Sequence, residues 1–89
     1  MNGKFDILKD ETRTKDVRYI SFKGDLQRYD FAIMQHEEDS SNHVVIYLQK
    51  NRFAFLGKDD LEKEGEIEHV FHETEMEAEE IREFLGEIL

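Results

Sequence analysis

The segment that most constrains the fold is residues 42–57, NHVVIYLQKNRFAFLG. Val44, Val45, Ile46, Tyr47 and Leu48 form one run rich in β-branched and aromatic residues, and Phe53, Ala54, Phe55 and Leu56 form another. Lys50 and Asn51 lie between them. Two such runs about a two-residue polar connection predict a β-hairpin. Asn51 suits the turn, because asparagine tolerates the positive φ of a type I′ turn. Asn-Gly would be the stronger signal, so the turn type stays open. The first arm has Val45 and Tyr47 on one face and Val44, Ile46 and Leu48 on the other. Apolar residues on both faces mark a strand that is covered on both sides. Phe55 is expected in the core.

Residues 18–23, RYISFK, predict a strand with Tyr19 and Ser21 on one face and Ile20 and Phe22 on the other. Gly24-Asp25 is a turn signal. The next strand, residues 28–35, sets Tyr29, Phe31 and Ile33 against Ala32 and Met34. Residues 37–42, EEDSSN, hold no apolar side chain and read as a surface loop. Before the first strand the apolar residues other than Met1 and Val17 are Phe5, Ile7 and Leu8. Residues 1–16 are expected to add a short edge element or a loose flap over the core, with 9–16 as loop.

After Gly57, the sequence KDDLEKEG predicts one or two helical turns, with Asp59 and Glu62 spaced as a capping box. Gly65 is placed to stop that turn in a left-handed conformation. Residues 66–71, EIEHVF, are expected as a short fifth strand. Thr74 and Glu77 form the T-x-x-E capping box of a final helix. Ala78, Ile81, Leu85 and Ile88 trace its buried stripe, and Phe84 widens it. The expected fold class is α+β: an antiparallel meander of four to five strands, with a C-terminal amphipathic helix packed across one face.

A chain of 89 residues makes a single domain, 1–89, and its 38% hydrophobic content suffices for one core. It has no cysteine, which excludes disulfides and thiolate chemistry. No apolar run approaches the roughly 18 residues of a membrane span, and the charged N-terminus lacks a signal-peptide core. A cytoplasmic location is expected. The net charge of −10 is unevenly spread. Residues 57–89 carry three Lys/Arg against thirteen Asp/Glu, whereas residues 1–36 carry seven against six. An acidic third repels phosphate backbones and favours a basic partner, although such patterning more often serves as a solvated helix face.

From Arg28 onward the strings QRYDFAI, QKNRFAFLGKDDLEKEGEIEHVF and EAEEIREFL resemble a family of small uncharacterised proteins from Gram-positive, Bacillus- and Staphylococcus-type bacteria. The likeness covers most of the chain after about residue 17, and its most specific piece is residues 52–65. The resemblance implies a bacterial cytosolic source and lends no catalytic residue.

The metal-like cluster is the string EIEHVFHE, with Glu66, Glu68, His69, His72 and Glu73. On a helix, histidines three apart share a face; in the expected strand His69 and His72 point to opposite faces. Zinc sites want three or four convergent ligands, so the pair reads as two surface histidines and no metal or cofactor is expected. His36 with Glu37, Glu38 and Asp39 is a weaker candidate beside a loop. Ser21, Ser40 and Ser41 lack a positioning signal for nucleophilic catalysis, and no phosphate loop or nucleophile elbow is present. No catalytic residue is assigned.

Two binding readings remain. Arg18, Lys23, Arg28, Lys50 and Arg52 lie near Tyr19, Tyr29 and Phe31, a mixture that some sheets use to stack RNA bases. The net charge opposes it. The favoured reading is a protein-interaction or homo-oligomerising module. One helix covers one sheet face, so residues 5–8, a second copy or a different protein must cover the other. Within residues 52–65, Arg52, Asp59, Asp60, Glu62 and Glu64 are the candidate interaction residues.

Overall fold

The computed structural model describes residues 4–36 and 38–89; Met1 and Glu37 lie outside the described residues. Strands β1 (Arg18–Lys23), β2 (Arg28–Gln35), β3 (His43–Tyr47) and β4 (Arg52–Leu56) pair antiparallel in chain order, as a meander. Helices α1 (Lys58–Leu61), α2 (Glu66–Phe71) and α3 (Glu75–Ile88) follow and cover one face of that sheet. Strands β1 and β2 run over the residues expected from their alternation.

The core forms where every second strand residue meets the helices. Tyr29, Phe31 and Ile33 of β2, Val45 and Tyr47 of β3, and Ala54 and Leu56 of β4 are buried against Leu61, Ile67, Phe71, Ala78, Ile81 and Leu85. Aromatic rings carry much of this layer. Phe22 stacks on Phe84 at 3.8 Å between centroids and on Tyr29 at 4.9 Å. Phe71 sets its ring edgewise to Phe31 and Tyr47.

Residues 66–71 are a helix, not the expected fifth strand. A strand would place Ile67, His69 and Phe71 on one face, yet His69 is exposed while Ile67 and Phe71 are fully buried. Helical spacing instead gathers Ile67, Val70 and Phe71, positions i, i+3 and i+4, onto the core. Gly65 does adopt the left-handed conformation, with φ 77°. It ends the preceding turn, and its carbonyl accepts the His69 N–H at 3.0 Å as α2 begins.

The hairpin is longer in its loop than a two-residue turn. Tyr47 pairs with Arg52, and residues 48–51 connect them. Leu48–Lys50 form a 3-10 turn closed by Asn51 at φ 52°, so Asn51 supplies the positive φ but Leu48 leaves the strand and is exposed. Gln49 compensates for the early end of β3. Its side-chain Oε1 accepts the Asp30 N–H at 3.0 Å and its Nε2 donates to the Arg28 carbonyl at 3.0 Å. The amide thus takes the place of a backbone unit beside β2.

Helix α1 is capped by Asp60 rather than by the Asp59 and Glu62 pair. Gly57 is the N-cap residue, and Asp60 Oδ2 accepts its N–H at 2.8 Å. A β-carbon on Gly57 would stand 2.7 Å from Asn42 Oδ1 and 2.9 Å from the Ser41 carbonyl, so the tight approach of the 38–42 loop requires glycine there. At α3, Thr74 Oγ1 accepts the Glu77 N–H at 3.3 Å as expected. Thr74→Ala should therefore lower stability by about 1 kcal/mol; an unchanged midpoint in urea titration would show that this bond contributes nothing.

Candidate functional site

The face of the sheet away from the helices is apolar, and among the described residues no other element covers it. Two rows cross it. Tyr19 of β1 pairs with Ala32 of β2, Ala32 with Ile46 of β3, and Ile46 with Phe53 of β4. In the second row Met34 pairs with Val44, and Val44 with Phe55. Tyr19 is 74% exposed, Phe53 62% and Phe55 55%. Phe53 and Phe55 meet edge to face at 5.9 Å, and His36 extends the row against Phe55 at 5.0 Å.

Phe55 therefore lies outside the core in which it was expected. The pairing of Ala54 with Val45 turns Ala54 and Leu56 toward the helices, and strand alternation then forces both phenylalanines outward. A polar margin closes this face at the β1–β2 end. Ser21 Oγ donates to Asp30, and Arg28 donates to Asp30 Oδ1 through Nε at 3.1 Å and to Ser21 Oγ through Nη2 at 3.2 Å. Gln49 Nε2 adds a bond to Asp30 Oδ2 at 2.9 Å. The hydrogen bond from Ser21, followed by Arg28, holds the Asp30 carboxyl below its usual range.

A second polar cluster sits on the helical side, where α3 begins. The Glu73 side chain is 3% exposed and accepts from Tyr47 OH, from Lys50 Nζ at 2.9 Å and from Gln27 Nε2 at 3.2 Å. Burial alone would push its carboxyl up, but the bonds from Tyr47 and Lys50 outweigh that, and it lies below the usual carboxylate range. Glu77 shares a hydrogen bond with Glu73; burial, then that bond and the neighbouring charge, push Glu77 up. Glu80 accepts Tyr29 OH at 2.7 Å and the backbone N–H groups of Asp25 and Leu26, clamping the β1–β2 turn to α3. These partners all belong to the chain's own scaffold. The cluster went unread in the sequence, although Glu73, Glu77 and Glu80 recur at i, i+4 and i+7, and two core tyrosine hydroxyls need acceptors.

The other candidate residues are dispersed. Arg52 Nε donates to the Val70 carbonyl at 2.9 Å, tying β4 to α2, and Asp60 binds Gly57 and Lys63. Asp59, Glu62 and Glu64 are exposed on the helical layer, not on the apolar face. His69 lies on α2 and His72 caps it at φ 56°, so the strand geometry used to separate them does not hold. Glu68 pairs instead with Arg82 at 3.2 Å. Asp39 accepts from Ser41 and Asn42, and His36 Nδ1 accepts the Glu38 N–H, within their loop. Among the described residues no three His, Asp or Glu side chains converge as a metal site requires. Tyr29 and Phe31 are fully buried, which removes two of the three rings that a base-stacking sheet would need. Residues 5–8 cover neither face and are exposed. No helix among the described residues is long and apolar enough to cross a membrane.

The SAV0927-like family matches residues 8–87, and the chain belongs to that small bacterial family. No curated protein matches it.

Proposed function

We propose that this member of the SAV0927-like family is a self-associating interaction module rather than an enzyme, and that a second copy of the chain binds the open face of its sheet. The observation that carries this reading is the pair of apolar rows crossing the sheet, with Tyr19, Phe53 and Phe55 each more than half exposed. Contiguous patches of this kind mark interaction sites on small domains. Charge layout supports a second copy as the occupant. Residues 18–56, the strands and their connections, carry five Lys/Arg and five Asp/Glu, while residues 57–89 hold the acidic excess. Association through the sheet face leaves the acidic helical layers outermost and brings near-neutral surfaces together, so the net charge opposes it little.

Sedimentation equilibrium of the full chain at micromolar concentration tests the proposal. A dimer is expected. Phe53→Lys with Phe55→Lys should convert it to a monomer while leaving the far-ultraviolet circular dichroism unchanged, since both rings lie outside the core. A wild-type chain that stays monomeric, or a double variant that dimerises as tightly as wild type, would refute it. Binding of a different protein to the same face by a monomeric chain would also overturn the choice of occupant.

A further inference from the structure

We infer that the part of the second copy lying on this face is its N-terminal arm, with Phe5, Ile7 and Leu8 as anchors; the inference rests on the self-association proposed above. The arm, residues 4–17, precedes β1 and contains no strand or helix. Phe5 is 74% exposed, Ile7 65% and Leu8 96%. Three large apolar side chains within four residues thus stand in water on one part of the molecule, while three exposed aromatics stand on another. Each set is what the other lacks.

The shape of the chain shows that the arm does not satisfy its own sheet. The principal extents are 55 × 24 × 24 Å and the radius of gyration is 16.0 Å, against about 12 Å for a compact chain of this length. The longest strand, β2, has eight residues and spans about 27 Å, and α3 is shorter still. The remaining length belongs to the arm, which projects outward. It leaves the body at β1, an edge strand whose Tyr19 is the first residue of the exposed row. A two-fold arrangement would therefore carry each arm from the rim of one open face onto the other.

Charge and area support the same occupant. Residues 4–17 carry four Lys/Arg and four Asp/Glu, so the arm is neutral and meets the equally balanced strand surface of another copy without net repulsion. Phe5, Ile7 and Leu8 together bury about 400 Å² per arm, matched by a similar area of sheet. Two reciprocal arms reach about 1,600 Å², the size of a standard stable interface. Phe5 and Ile7, two residues apart, share one side of the extended stretch that ends at the bend of Leu8, and the rows of the face present Phe53 and Phe55 at the same spacing.

The test uses two full-length variants, one in the arm (Phe5→Ser, Ile7→Ser, Leu8→Ser) and one in the face (Phe53→Lys, Phe55→Lys). Sedimentation velocity should show the dimer dissociation constant raised at least tenfold in each alone. Mixing the two should restore mixed dimers, because one chain supplies an intact arm and the other an intact face. If the arm variant dimerises as tightly as wild type while the face variant does not, self-association through the face stands and the arm inference falls. If both variants lose association and their mixture recovers none, arm-to-face contact between copies is likewise overturned. A monomeric wild type overturns both readings.

Discussion

Phe71→Ala is expected to cost about 3–5 kcal/mol of stability, the range for removing a fully buried phenylalanine. Phe71 has no exposed surface and closes α2 onto the sheet, with its ring edgewise to Phe31 at 5.8 Å and to Tyr47 at 5.5 Å. Truncation leaves a cavity beneath three elements. Its neighbours Ile67, Phe31 and Tyr47 are themselves buried, so the site has little freedom to collapse. Edge-to-face ring contacts add about 0.5–1.5 kcal/mol beyond area burial. Phe55→Ala is the control: that ring is more than half exposed, and in the monomer its removal should change stability by less than about 1 kcal/mol. Chemical denaturation of both variants at a concentration where the chain is monomeric distinguishes them. Equal losses would mean that the helical layer does not depend on Phe71 as its packing indicates.

The contrast between these two phenylalanines shows where the fold was legible in the sequence. Strands β1 and β2 and the Thr74 cap follow from local rules, two-residue alternation and a short polar side chain before a periodic run, and the structure has them where those rules put them. The phase of β4 does not follow locally. Arg52 to Leu56 offers Phe53 and Phe55 on one side and Ala54 and Leu56 on the other. Ring size favours burying the phenylalanines, but the register with β3 decides otherwise. Register is a long-range property, and shifting it by one residue inverts every side chain.

Residues 66–71 failed for a different reason. Over six residues, Ile67, Val70 and Phe71 satisfy a helical stripe, while EIEHVF also contains enough β-branched and aromatic residues to suggest a strand. Short apolar runs of this length are ambiguous between the two periods. The exposed His69 at the centre was the signal against a strand, since alternation would have set it beside Ile67 and Phe71. The two-faced apolarity of β2 and β3 was legible, and it led to the question of what covers the second face. The chain's own residues 5–8 do not, so the apolar rows, rather than the charged side chains of residues 52–65, form the candidate surface.

Tyr47→Phe should destabilise the fold by about 1–3 kcal/mol at neutral pH, the cost of removing a hydrogen bond to a buried charged group. The ring itself is retained, so packing against Phe31 and Phe71 is preserved and the effect isolates the hydroxyl. Tyr47 OH donates to the Glu73 carboxylate, whose side chain is 3% exposed. Lys50 Nζ on Oε1 and Gln27 Nε2 on Oε2 remain as donors. Lys50 is itself partly solvated, so it cannot make up the loss in full. The sign with pH follows from the direction of the Glu73 shift. Its carboxyl is held below the unfolded value, so the stability it contributes is present above the unfolded pKa and is lost as pH falls through the folded one. Without the Tyr47 hydroxyl the folded value rises toward the unfolded value, and that contribution shrinks. The difference between wild type and Tyr47→Phe is therefore largest at neutral pH and narrows in acid, where Glu73 is protonated in both proteins. Glu77, pushed up by burial and by Glu73, has the opposite sign: its contribution is present below its unfolded pKa and is lost as pH rises through the folded one. Urea titrations at a series of pH values measure the gap directly. A gap independent of pH would show that the hydroxyl acts through packing alone and that Glu73 does not rely on it to stay ionised.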